Sequence, residues 1–154
     1  MKTSFKHLLL FVLLLILAFA CKDDPSVTPP TEAELRTEIL TAGNGTWNIP
    51  ASDGVLLGEG VNTIDIGELF QNFSITFTTT GYTTTGTTPV WARSGTWSFV
   101  DNSGTKFRRN DNIEVTIVDI SANTVKLTLQ WNETTYEDGR NKSLAGLHTF
   151  TFNK

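Results

Sequence analysis

The feature that most constrains this chain is strict alternation. Val125-Lys126-Leu127-Thr128-Leu129-Gln130-Trp131 places apolar and polar residues on opposite sides of an extended backbone. Side chains of a strand point to opposite faces with a period of two, so such a stretch has one face to bury and one to show water. The same period recurs in Thr46-Trp47-Asn48-Ile49, Phe73-Ser74-Ile75-Thr76-Phe77, Thr96-Trp97-Ser98-Phe99, Ile113-Glu114-Val115-Thr116-Ile117 and Gly146 to Asn153 (GLHTFTFN). Tyr82 to Thr85 and Thr105 to Arg109 read as further strands, and Val55 to Leu57 as a short one. Between them stand turn clusters: Gly81, the loop Gly86 to Arg93, Asp101-Asn102-Ser103-Gly104, Asn110-Asp111-Asn112 and Ser121-Ala122-Asn123. Short one-sided strands with a turn every eight to twelve residues or so predict an all-β fold, a sandwich or a barrel. A meander that curls onto itself buries Trp47, Ile75, Phe77, Trp97, Phe99, Val115, Leu127, Leu129, Phe150 and Phe152, and leaves no open edge.

Ahead of the strands the pattern differs. Thr31 to Thr41 (TEAELRTEILT) carries a capping box, Thr31 with Glu34, and a narrow apolar stripe of Leu35, Ile39 and Leu40, with Gly43 as a stop. This predicts a short helix that must lean on the rest of the domain. Asp65 to Asn72 is expected to add a single helical turn. Cys21 to Thr31 (CKDDPSVTPPT) holds Pro25, Pro29 and Pro30, which makes it a semi-rigid spacer.

The first twenty residues have the order basic, apolar, small. Lys2 and Lys6 precede the run Leu8 to Ala18, and Ala18 and Ala20 precede Cys21. That run is about half of the roughly 20 residues a spanning helix needs, so a cleaved export signal is expected rather than an anchor helix. Cys21 is the one cysteine of the chain, which excludes an internal disulfide and asks for another role. Its place, just after small residues at the end of the signal, resembles the lipobox of bacterial lipoproteins, with Ala18 where that box usually has Leu. The resemblance implies a lipid attached to Cys21 and a membrane anchor at the new N-terminus. Acylation by several chains holds a protein stably, at about 0.8 kcal/mol per buried CH₂. Lys22-Asp23-Asp24 resembles the surface-export signal of Bacteroidetes lipoproteins, which implies the outer membrane and display at the cell surface. The expected organisation is thus 1–20 signal peptide, 21–31 lipid-anchored linker and 32–154 β domain.

The segments TEAELRTEILTAGNGTWNI, IDIGELFQNFSITFTTTGYTTT, PVWARSGTWSFVDNSGTKFRRND and VKLTLQWNETTYEDGRNKSLAGLHTFTF resemble the lipocalin-like lipoproteins of Bacteroidetes. The resemblance spans nearly all of the chain after Cys21. It implies a lipocalin-like, up-and-down antiparallel β-barrel of about seven or eight strands behind a short N-terminal helix. It carries no shared catalytic set and no common ligand.

Charge and motifs narrow the function classes. Twelve Lys and Arg stand against sixteen Asp and Glu, and the leading twenty residues take two Lys with them. An acidic domain without a basic patch is a poor partner for nucleic acid. His148 is the only histidine after position 20, which excludes a zinc site of usual composition, and no Gly-X-Ser-X-Gly elbow is present. No cofactor is expected. The two Asp/Asn turn clusters lack calcium-loop spacing and read as hairpin turns. Glu133, Glu137 and Asp138 read as a solvated loop. Two residues remain as ligand-binding candidates. Trp91, in a loop beside Pro89 and Arg93, offers an aromatic face for a sugar or a partner, or else packs over a barrel end. His148 shares a face with Phe150 and Phe152 and offers a polar group inside the barrel, or else is a half-buried strand residue. The expectation is a non-enzymatic envelope module that binds a small molecule, a glycan or an envelope protein. The alternative is a structural accessory subunit whose barrel is filled by its own side chains.

Overall fold

The computed structural model describes residues 28–87, 89–133 and 144–154. Cys21, the export signal and most of the linker lie outside the described residues, as do Glu137 and Asp138.

The described chain is an all-β barrel with one short helix, as the alternation predicts. Helix α1 (Glu32–Thr41) is followed by β1 (Thr46–Asn48), β2 (Val55–Leu57), β3 (Ile64–Asp65), β4 (Ser74–Phe77), β5 (Gly81–Thr85), β6 (Ser94–Phe99), β7 (Lys106–Arg109), β8 (Glu114–Ile120), β9 (Thr124–Trp131) and β10 (Gly146–Asn153). From β4 to β10 each strand pairs antiparallel with the next. β1 pairs with β4 on one side and meets β10 at Asn48 and Asn153 on the other, which closes an eight-stranded barrel of β1 and β4 to β10. The hairpin β2–β3 hangs outside this ring. It occupies the edge of β10 that β1 is too short to reach, with Leu57 opposite His148 and Val55 opposite Phe150. Strand β3 shows no apolar alternation in sequence, and both of its residues are exposed. It is a strand because β2 offers it a hydrogen-bonding edge.

Inside and outside follow parity. Nine of the ten core residues expected from sequence are buried, and Phe99 is partly buried and packs against them. The outward threonines of β1, β4 and β5 serve the wall itself. Thr46 and Thr76 exchange a hydroxyl hydrogen bond at 2.8 Å, and Ser74 and Thr85 one at 2.6 Å. Such cross-strand pairs add to the suitability of β-branched residues for a half-exposed sheet face. Strand β8 runs three residues past the expected Ile117 because a bulge between Ile117 and Asp119 turns both Val118 and Asp119 outward.

The helix closes one end. Thr31 caps it through the predicted box: the Glu34 N–H donates to the Thr31 hydroxyl and the Thr31 N–H donates to the Glu34 carboxylate at 2.7 Å. These bonds hold the Glu34 carboxyl below its ordinary pKa. Of the apolar stripe only Leu40 is fully buried; Leu35 is 38% exposed. The helix is instead fastened by polar contacts. The Trp47 indole N–H donates to the Leu40 carbonyl (2.9 Å), Arg36 to the Gly104 carbonyl (3.2 Å) and Lys154 to the Ala42 carbonyl (3.0 Å). The connection to β1 needs glycine: Gly45 has φ +68°, and a Cβ there would run into the Phe77 carbonyl oxygen.

The interior is built from rings. Phe77, Trp97, Phe99 and Phe107 meet edge to face with centroids 5.2 to 6.4 Å apart. A second nest joins Phe70, Phe73, Phe150 and Phe152 at 5.3 to 6.3 Å. Each such pair contributes about 0.5–1.5 kcal/mol beyond its buried area.

Candidate functional site at the barrel end opposite the helix

The end opposite the helix holds the β5–β6 connection, the β7–β8 turn and the first residues of β10. It is organised by a charge that faces inward. Arg109 ends β7 opposite Trp97, on the same face as Phe107, so its side chain enters the barrel and is 1% exposed. A guanidinium there must be paired. Asp111, two residues on in the β7–β8 turn, accepts from Arg109 Nε at 3.2 Å and from Nη2. Arg109 Nη1 donates to the Val90 carbonyl at 3.1 Å, and the guanidinium carbon lies 4.6 Å from the centre of the Trp91 ring. One residue thereby ties the β5–β6 loop down and folds Trp91 into the barrel.

Trp91 is consequently not a surface aromatic. It is 2% exposed and packs edge to face against Tyr82 (5.5 Å) and Phe150 (5.9 Å). Of the two expectations for Trp91, an exposed aromatic face or packing over the barrel end, the structure shows the packing. The partner pair Arg109–Asp111 was missed in the sequence, where Asn110-Asp111-Asn112 reads only as a turn. The signal was present: in the strand Thr105 to Arg109, parity puts Arg109 on the face of Phe107.

His148 lies deeper than a half-buried strand residue. It is 0% exposed and stacks on Phe150 with centroids 5.9 Å apart and planes 15° from parallel. Its Nδ1 is 3.2 Å from the Gly146 carbonyl, an acceptor, so the neutral ring carries its proton there and presents a lone pair at Nε2. Burial, which favours the neutral form, pushes its pKa below the ordinary value, and the bond to the Gly146 carbonyl opposes that shift. Next to it, on the adjoining strand, Trp131 stands opposite Gly146, whose φ is +147° and whose missing side chain lets the Leu57 side chain pack close.

Three polar atoms at this end are buried without a hydrogen-bond partner: Trp91 Nε1, Trp131 Nε1 and His148 Nε2. The Tyr82 hydroxyl is a fourth such atom, on the ring that packs against Trp91. It lies over Gly95 on the β6 wall, and burial there raises its pKa against the opposing pull of Arg109. The indoles at the other positions are satisfied: Trp47 donates to Leu40, and Trp97 to the Thr78 carbonyl at 3.0 Å.

Outside the barrel, an open groove of about 710 Å³ runs along Ile49, Pro50 and Phe70 past Asp65 and Glu68. The Asp65 carboxylate is already engaged, accepting from Gly67 N–H (2.8 Å) and Asp53 N–H (3.3 Å). The two Asp/Asn clusters are hairpin turns: Asp101 accepts from the Ser103 N–H, and Asp111 serves Arg109. Among the described residues no three His, Cys, Asp or Glu side chains gather as a metal site, and no helix is long and apolar enough to cross a membrane. Set against known proteins, the chain matches no family model, no curated protein and no solved structure.

Proposed function

We propose that this chain is a bacterial cell-envelope lipoprotein, held in the outer membrane through a lipid on Cys21 and displaying a non-enzymatic binding barrel of the lipocalin-like group it resembles. The anchor rests on the order of the first 24 residues. The binding role rests on one observation above all: one end of the barrel is shut by a helix, while the other holds buried aromatic side chains with unsatisfied polar atoms. The tether also enters at the shut end, where Ala33 N–H donates to the Asn102 carbonyl of the β6–β7 turn at 3.2 Å. The ligand-bearing end is then the one remote from the point of attachment.

A second reading has its own support. The buried ring nest of Phe77, Trp97 and Phe107 occupies barrel interior with the protein's own side chains, which suits a structural accessory subunit of an outer-membrane complex. Two measurements separate these readings. Intact mass and membrane fractionation of wild type and Cys21→Ala read the anchor: acyl mass on wild type and none on the variant is the expected result, and an unacylated, soluble wild type refutes it. Native mass spectrometry of the membrane-extracted protein reads the role. A retained small molecule supports the binding barrel, and a bare barrel that cross-links to a fixed set of envelope proteins supports the accessory subunit.

A further inference from the structure

We infer that the free edge of β3 is a docking site for an extended segment of a partner protein in which apolar and basic residues alternate. The site lies outside the barrel and does not depend on what the barrel end binds. It follows from the sheet order. Eight strands close into a ring, the β2–β3 hairpin hangs from it, and β3 ends the sheet. Ile66 N–H donates to the Val55 carbonyl at 2.9 Å, which fixes the phase of the β2–β3 ladder. Ile64, two residues back, therefore also turns its backbone toward β2. Thr63 and Asp65 aim their N–H and C=O groups the other way, where no described group bonds them. An open edge of this kind is a template for a further strand, and it is ordinarily blunted by Lys, Pro or a bulge. β3 carries none of these, and its one charge is Asp65.

The side chains along this edge dictate what the added strand brings. Ile64 stands opposite Leu57, and Leu57 opposite the buried His148, so parity puts Ile64 on the inner side of the sheet. Ile66 on that side is 9% exposed, whereas Ile64 is 64% exposed and Val61, in the preceding loop, 98%. These two are the most exposed large apolar side chains among the described residues. An added strand covers them with apolar side chains of its own. Asp65 points to the outer side, opposite Leu56. From Asp53 to Glu68 the chain holds the acids Asp53, Glu59, Asp65 and Glu68 and no Lys or Arg, and β10 beside the hairpin has no Lys or Arg either. Residues of the added strand that face this side are therefore basic. Alternation in the partner mirrors alternation in β3. A second copy of this chain fits less well, because β3 against β3 sets like charges side by side. Past Asp65 the edge meets the groove of about 710 Å³ lined by Ile49, Pro50, Phe70 and Phe73, which gives the partner a path beyond the two residues of β3.

Peptides of chosen sequence test this directly. The full-length chain, ¹⁵N-labelled and held in non-ionic detergent micelles, is titrated with three blocked heptapeptides: Lys alternating with Val and Ile, the same with Glu for each Lys, and the first with a central Pro. The Lys peptide is expected to bind saturably and to slow hydrogen exchange of the Thr63 and Asp65 amides by at least about tenfold, while the amides of β7 and β8 are unchanged. The Glu and Pro peptides are each expected to bind at least about ten times more weakly. The Lys peptide should lose affinity to the same degree on Ile64→Lys, a change at an exposed position, with the Trp47 and Trp97 indole signals reporting an intact fold. No binding of the Lys peptide overturns the inference. So do Thr63 and Asp65 amides that exchange slowly with no peptide present, which means that the chain covers its own edge. Hairpin signals that move with protein concentration alone make the occupant a second copy. Equal binding of the Glu peptide removes the charge match, and equal binding of the Pro peptide removes strand addition. None of these results touches the reading of the barrel end, which native mass spectrometry tests separately.

Discussion

Asp111 holds the barrel end together through a single buried guanidinium, and removing it has a calculable cost. In Asp111→Ala, Arg109 keeps the Val90 carbonyl and the Trp91 face but loses two charged hydrogen bonds. Stripping one partner from a fully buried pair costs about 3–5 kcal/mol. Asp111 is 36% exposed, so water reaches the vacated site and screens part of that loss. We expect a net destabilisation of about 2 kcal/mol. With an m-value of about 1.5 kcal/mol/M for a domain of this size, the urea midpoint falls by about 1.3 M. Arg109→Met keeps the apolar stem and removes the charge, so adding Asp111→Ala to it should cost little more, and the double-mutant cycle should show coupling of about 1.5 kcal/mol. Loosening the β5–β6 loop also shifts Trp91 emission to the red. A loss below about 0.5 kcal/mol in Asp111→Ala, or a cycle without coupling, would refute the claim that this pair holds Trp91 over the barrel end.

Three further outcomes are expected. Thr31→Ala removes the capping box and should cost about 1 kcal/mol, with faster amide exchange confined to the first turn of α1; unchanged exchange there contradicts the cap. Gly45→Ala and Gly43→Ala both place a side chain at positive φ, but a Cβ on Gly43 meets open space while one on Gly45 meets the Phe77 carbonyl. Gly43→Ala should therefore lose about 1 kcal/mol and Gly45→Ala at least twice that, and equal losses would show that strain alone acts. For His148, burial lowers the folded pKa below 6.5, so the unfolded chain takes up the proton first. Stability is full above the unfolded value and falls as pH drops through 6.5 toward the folded value. Urea midpoints of wild type should decline between about pH 7.5 and 5.5 and those of His148→Gln should not, because the lowered carboxyls of Glu34, Asp101 and Glu114 titrate below that window. Parallel pH curves for the two proteins would remove His148 from the linkage.

What the amino-acid sequence determines by itself is local and periodic. Residue parity alone puts Leu127, Leu129, Phe150 and Phe152 inside and Thr76 and Thr83 outside, because a strand has only two faces. Thr31 and Glu34 set the start of the helix, since both halves of the capping box lie within one turn. The three outcomes that only the tertiary structure decided are contacts between residues far apart in the chain. Trp91 sits in a loop whose sequence is compatible with exposure; Arg109, eighteen positions later, draws it inward. His148 has the parity of a core residue, but its depth comes from β2 covering the edge of β10, which no periodicity encodes. β3 exists for the same reason, with an edge to pair with and no apolar face of its own. Periodicity assigns a side chain to a face. Which charge, loop or edge then meets that face is set by closure of the barrel, and closure is where this protein's polar interior is made.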